Sequence, residues 1–340
     1  MKNKWLILSL FLITGLVFLC GCTGTQEESA TVVTQQAAVS EKSVLNVGYQ
    51  PSTHQMAFMT AYSKDMYNET LSPLGVKEVK AYSFPTGAPE MQAMLAGDLD
   101  FAYVGAAPFV TAAATGLDAK IIASAQTQGS SVVLKTGLEY SEPSDLKGLS
   151  IATYPAGTIQ DTILRTWLRE QGMDPDKDVK IIAMGPGDAT TAIMAGKVDA
   201  VFLPGPSPTT IVEAGAGKVI IESGEMSPNH VCCVLVASGK MMRDHPDIVT
   251  EVLKIHEEAT EYNKQNWEKA AEYMEQMTAM DAAIVLKSLN VWDGEWVSDP
   301  HIIFDSVASY AQDQAALGYI SAQLTGDDLT DTGFWDKLNS

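Results

Sequence analysis

Positive charge is scarce in this chain. Lys and Arg together number 22 against 42 Asp and Glu, a formal charge of −20 with a sequence pI near 4.5. A protein that grips nucleic acid needs a basic face, so that class is excluded. Small anions are not, because a few oriented backbone amides bind them locally. Cysteine is rarer still, four in 340 residues, which rules out a disulfide scaffold or an array of zinc fingers. A P-loop, a GxGxxG turn after a strand and a nucleophile elbow are all missing. Beyond Leu19 no run is long and apolar enough to span a bilayer.

What is present is apolar substance: 46% of the residues are hydrophobic, enough for true cores, and the length fits two domains. At the N-terminus, Lys2 and Lys4 precede an apolar run from Trp5 to Leu19. The run is short for a membrane span and reads as a signal peptide over residues 1–21. It ends in Leu19-Cys20-Gly21-Cys22, which resembles the lipobox of prokaryotic lipoproteins. Cys22, behind the small Gly21, fits the lipidated position; Cys20, behind bulky Leu19, fits poorly. The expected result is a protein tethered by a lipid on Cys22 to the outer face of the cytoplasmic membrane, its domains in water. The alternative is an uncleaved anchor helix. Residues 22–42 are polar and aperiodic and read as a flexible tether.

Two copies of one pattern follow. Leu45 to Pro51 and Leu149 to Pro155 are short strand-like runs stopped by proline. Each leads into a helical stretch, a second strand candidate (Glu78 to Phe84; Val179 to Met184) and a second helix. Those helices end alike, in Ala96-Gly97-x-x-Asp100 and Ala195-Gly196-x-x-Asp199, before apolar strands at 101–104 and 200–203. A match this long and in register predicts two α/β lobes with largely parallel sheets, their loops converging at the strand C-termini. The glycines fit left-handed helix ends, and the aspartates fit strand starts that bond nearby amides. Two apolar segments, Ile121 to Lys135 and Asn229 to Ala237, read as crossings between the lobes. After the second, Ile248, Val252, Ile255, Ala259 and Tyr262 form one stripe of an amphipathic helix. The C-terminal helices are expected to pack back on the first lobe. Lobe I is thus residues 43–130 plus 236–330, and lobe II residues 131–235.

In this order and spacing, Val47 to Pro51, Met94 to Asp100, Gly105 to Pro108, Asp145 to Gly148 and Val198 to Phe202 before Pro204 to Pro208 resemble a family. It is the NMT1-like group of ABC-transporter substrate-binding proteins for nitrate, sulfonates and taurine. The resemblance runs from about Leu45 to Leu329. It implies the α/β fold of type II periplasmic binding proteins, two lobes on a two-strand hinge. It also implies capture of a small anion or organosulfonate between closing lobes and delivery to a permease and its ATPase. It implies no chemical step, catalytic residue, cofactor or metal.

The loops after the strands should then face the cleft. They supply the candidate ligand residues Gln50, Thr53, His54, Gly87, Ala88, Gly105, Ala106, Ser130, Ser131, Thr158, Gln160, Asp188 and Ser207. Most of these loops run into helix N-termini, whose orphan N–H groups attract anions. None carries Lys or Arg, so an anion would be met by amides, hydroxyls and a histidine, His54 or His230. Asp188 suits the ammonium of a zwitterion such as taurine. Tyr49, Tyr103, Tyr154 and Phe202 are candidates for an apolar floor. Cys232 and Cys233 are adjacent in a strand; neighbours there point to opposite faces, so the pair is expected as buried thiols that do not easily ligate one metal. The other readings are a receptor for a thiamine-pyrimidine precursor, stacked on aromatic rings, a solute sensor, and an enzyme that resembles the thiamine-pyrimidine synthases, with His230 beside the two cysteines.

Overall fold

The computed structural model describes residues 42–340. The signal peptide, Cys22 and all of the tether except Lys42 lie outside the described residues.

The duplicated pattern folds as two matching units. The first supplies β1 (Val44–Tyr49), β2 (Glu78–Ser83) and β3 (Phe101–Gly105); β4 (Ala119–Thr127) and β5 (Ser130–Lys135) follow. The second supplies β6 (Ser150–Thr153), β7 (Lys180–Ala183) and β8 (Ala200–Pro204). Then come β9 (Gly217–Glu222), β10 (Val231–Ser238) and a short β11 (Glu295–Trp296). They form two sheets, ordered β11-β4-β10-β3-β1-β2 and β7-β6-β8-β5-β9. In each unit the first strand pairs in parallel with the other two.

The sheets are mixed rather than simply parallel. β10 runs against both β3 and β4, and β5 against both β8 and β9. The reason lies in the crossings. Each of these two strands is the first to form after the chain changes sheet, and it enters at the edge where the other strands end. It can only run the opposite way.

The repeated Ala-Gly-x-x-Asp step works as a structural clamp. Gly97 and Gly196 take the left-handed conformation, at φ +83° and +66°. One oxygen of Asp100 accepts the Asn46 amide at 2.8 Å, and one of Asp199 accepts the Ser150 amide at 3.0 Å. The other oxygens pair with Lys42 at 2.6 Å and Lys135 at 2.8 Å. The start of each third strand is thereby tied to the start of the first.

The helix Pro246–Gln265 buries Ile248, Val252, Ile255 and Ala259, with Tyr262 half-buried under the Lys64 ammonium. It packs with Trp267–Thr278 on the helix Met56–Ser63 of the first sheet's layer. Among the described residues no helix is long and apolar enough to cross a membrane.

The bonds from Lys135 and Ser150 pull the Asp199 carboxyl from 3.8 down to about 2. A depressed carboxyl stabilises the fold above its unfolded value and loses that effect as pH falls toward its folded value. Asp199→Ala should therefore cost about 1–2 kcal/mol in urea melts at neutral pH, its partial exposure keeping the figure modest. The gap from wild type should narrow as pH drops from about 4 to about 2; a gap independent of pH would remove the ionic role.

Candidate ligand-binding site

Between the two sheets, where strands of both units end, lies a cavity of about 20 Å³. That volume holds little more than one water-sized group. Its first wall comes from the loop after β1 (Gln50, Ser52, His54), from Gly87, from Gly105 and Pro108, and from Cys232 and Cys233 on β10. Its second wall is Tyr154, Thr158, Ile159 and Gln160 after β6, with Pro204 at the end of β8. Three helices begin at these walls: Gly87–Leu95, Ala106–Ala114 and Ile159–Glu170. None has a side-chain cap, and the Thr158 hydroxyl donates instead to the Pro155 carbonyl. First-turn N–H groups without an intrahelical partner are therefore gathered at one cavity, each helix end carrying partial positive charge. Among the described residues no Lys or Arg lines it.

Of the residues expected from sequence, Gln50, His54, Gly87, Gly105, Thr158 and Gln160 meet here. Ser130 stands just behind, its hydroxyl accepting from Gln160 Nε2 at 3.1 Å. Thr53 is buried; its amide donates across the cleft to the Gly205 carbonyl at 3.0 Å, and its hydroxyl has no partner. Ala106 is buried at the start of its helix. Ala88 lines a separate groove of about 80 Å³ that also holds Gly157. Ser131 faces a larger groove of about 560 Å³ bounded by Gly129, Gly205 and Trp292, and its hydroxyl donates to Glu222 at 2.5 Å. Asp188 is exposed and Ser207 half-buried at a helix start; neither reaches the cavity. Of the aromatic candidates only Tyr154 does. Tyr49 packs on Phe58 with ring centres 5.0 Å apart, Tyr103 bonds His256 Nδ1 at 3.2 Å, and Phe202 is core. Ser52, Pro108 and Ile159 lie inside the loops expected to face the cleft but are not among the expected ligand residues, and Pro204 lies just before one; nothing in the sequence sets them apart from their loop neighbours.

The cysteines need a correction. Adjacent strand residues alternate faces only while the ladder is regular, and β10 is not regular here. Val231 pairs with Thr127 but Cys233 with Gln126, so β10 advances two residues while β4 advances one. This bulge turns neighbouring side chains to one side. The two sulfurs and a ring nitrogen of His54 all lie within 4.8 Å of one another, so the expectation that the thiols would not easily share a centre fails. The histidine is His54 and not His230. His54 Nδ1 sits 3.1 Å from Cys232 Sγ, whereas His230 Nδ1 bonds the Ser227 carbonyl at 2.6 Å, and burial pushes His230 down to about 4. Both thiols are free and buried. The neighbouring Cys232 and the Gln55 amide hold the Cys233 thiol below its ordinary value, while burial pushes Cys232 up.

Glu90 lies behind Gln50, fully buried. Gln50 Nε2 donates to its Oε2 at 2.7 Å, and its Oε1 has no partner. Burial raises its pKa well above the ordinary carboxylate value.

The two crossings sit at one edge of this cavity. Gln128 and Gly129 in the first and Asn229 in the second all have positive φ, at +57°, +82° and +57°. The Gln128 amide donates to the His230 carbonyl at 3.0 Å, and the Asn229 amide to Gln128 Oε1 at 2.8 Å. Asp293 accepts from Gly129 N at 2.8 Å and Gly224 N at 2.6 Å. Farther out, Gln314 Nε2 donates to Ala107 O at 2.9 Å and Gly157 O at 3.0 Å, Tyr319 donates to Asp161 at 2.5 Å, and Lys287 pairs with Glu213. These bonds hold the halves shut.

A cavity that exists only while two hinged halves touch is the mark of a solute-binding protein, and the fold is that of the type II periplasmic class. The chain belongs to the NMT1-like family, whose model matches residues 38–278. A Bacillus subtilis (strain 168) protein named for binding aliphatic sulfonates is 24% identical over 338 residues, covering 98% of this chain and 95% of that one. Among solved structures, the periplasmic nitrate-binding protein NrtA of Synechocystis PCC 6803 superposes with a TM-score of 0.77 at 16% identity, covering 88% of each chain. The alkanesulfonate-binding protein SsuA of Xanthomonas axonopodis pv. citri, bound to MOPS, gives 0.73 at 17% identity, covering 85% of this chain and 98% of that one.

Asp293→Ala deletes the carboxylate's bonds to Gln128 and Gly129 in the first crossing and to Gly224 just before the second. Hydrogen exchange by mass spectrometry should then speed up in peptides spanning residues 124–135 and 222–231, with little change in β1 to β3. Unaltered exchange there would show that Asp293 does not fasten the hinge.

Proposed function

We propose that this chain is the solute-binding component of an ABC importer, held at the outer face of the cytoplasmic membrane by a lipid on Cys22, and that its solute presents a small anionic head of the nitrate, sulfonate or taurine kind. Lobe I, expected from sequence as residues 43–130 plus 236–330, is redrawn as residues 43–128 with the chain from Val231 onward, and lobe II, expected as 131–235, as residues 129–230, because all of β10 joins the first sheet and all of β5 the second. The observation that carries this reading is the meeting of three uncapped helix starts at one cavity. An anion there accepts from amides that closure has already aimed, and Gln50, Thr158 and Gln160 add neutral polar groups. The names of the relatives agree with this chemistry.

The ligand acts by bridging. It touches both walls only when the lobes meet, so its binding free energy falls on the closed state alone. No bond is made or broken, and the closed form is what the permease and its ATPase would receive. The size of the cavity favours a compact head. An alkyl tail would have to leave toward the larger groove beyond Gly129 or hold the lobes apart.

Thermal melts of the full chain with nitrate, bicarbonate, taurine and alkanesulfonates of increasing length test the reading, with a pyrimidine as control. A true ligand at one hundred times its Kd adds about 2.7 kcal/mol, a rise of several degrees. Compact anions should give the largest rise, and Gln160→Ala should reduce it. If every anion leaves the melt unmoved, the ligand class is wrong; a rise with the pyrimidine alone would favour the precursor-receptor reading.

A further inference from the structure

The cavity wall holds a group of side chains that anion binding does not need: His54, Cys232 and Cys233. We propose that these three bind a thiophilic metal ion of the Zn(II) or Cu(I) kind through His54 Nδ1 and the two sulfurs, leaving one coordination position open to the cavity. The proposal stands whether or not the solute is an anion.

Four observations carry it. First, the donor atoms are gathered: all three lie within 4.8 Å of one another. A metal with bonds of about 2.3 Å to sulfur and about 2.0 Å to nitrogen needs them roughly 3.5–3.8 Å apart, a small adjustment. Second, the histidine is already set as a ligand. Its Nε2 is 2.8 Å from the Gly129 carbonyl, which can only accept, so the ring proton is on Nε2. The Nδ1 lone pair therefore points at Cys232 Sγ, 3.1 Å away. Fixing a ligating imidazole through its far N–H to a carbonyl is the usual outer arrangement of a metal site. Third, Gln55 is oriented to stabilise a thiolate. Its Oε1 accepts the Gln50 amide at 2.6 Å, which leaves its Nε2 to donate to Cys233 Sγ at 3.6 Å. Fourth, the β10 bulge is what brings both sulfurs to this side. A regular strand would turn one of them away, into a different environment.

The donor set selects the ion. Two thiolates and an imidazole are soft to borderline ligands, which suit Zn(II) in a tetrahedron or Cu(I) in a plane of three and disfavour Mg(II) or Ca(II). Binding is a plain ligand exchange. Each sulfur loses its proton to solvent as its bond to the metal forms, and no electron is transferred. For Zn(II) with two thiolates the site is neutral, so the ion would not repel an anion at the open position.

The test uses the full chain, reduced and stripped with a chelator, and titrated with the metal alone. Zn(II) is added under competition with a chromophoric chelator, Cu(I) likewise under anaerobic conditions, and Co(II) serves as the spectroscopic probe. One equivalent should bind per chain, with a thiolate-to-cobalt charge-transfer band and release of up to two protons per Zn(II). Cys20→Ser and Cys22→Ser are introduced first, and this background serves as the wild-type site; adding Cys232→Ser with Cys233→Ser should abolish the band, and His54→Gln should weaken binding tenfold or more. The background's spectrum and proton count then report on these two thiols alone, so a double variant that fails to fold leaves the test decisive. Tight uptake of either ion with these signatures supports the site and names its metal. Wild type that takes up neither ion, or binds only without thiolate bands, overturns it, as does a folded double variant that keeps the band.

Discussion

Gln128 and Asn229 each adopt a left-handed backbone and each bonds the other's segment, with Asp293 drawing Gly129 and Gly224 to the same point. The two crossings are therefore one joint. The rest of the molecule is arranged about it. Because the chain changes sheet where strands end, the loops of both units face one another across the crossing. Because β5 and β10 start at that edge, they bring Ser130, Cys232 and Cys233 to the cleft from the start of a strand, while every other wall residue is the last of a strand or lies beyond its end. A bilobal protein built without reversed strands would line its cleft with loops alone.

The electrostatics of the cleft follow from what is absent. With no Lys or Arg on the walls, attraction for an anion rests on aligned amides, which act strongly only over the first turn and only in a desolvated space. Closure is thus part of the recognition chemistry. Burial of Glu90 acts in the same direction, since it disfavours a fixed negative charge behind Gln50 that would oppose the helix starts.

Much of this was legible in the residues. The match of Ala96-Gly97-x-x-Asp100 to Ala195-Gly196-x-x-Asp199 revealed the duplication and with it the two sheets, since a strand-helix period admits few other folds. Six of the wall residues followed from the rule that loops after parallel strands face the cleft. That rule fails for Asp188, exposed on its helix, and for Ala88, which points to another groove, because it says which loop is near and not which way a side chain turns. The pairing of His54 with the cysteines was out of reach. It depends on a one-residue bulge in β10, and Val-Cys-Cys-Val carries no mark of irregular pairing. The pull of His230, three residues from Cys233 in sequence, pointed to the wrong ring.

The tightness of the closed cleft has a consequence for traffic. A pore-side receiver that engages only fully shut carriers would ignore any chain whose cargo is one methylene too long, since such a cargo props the halves apart. Discrimination would then be exercised after capture, by shape presented to the outside. The carrier could hold many molecules loosely and still hand over few.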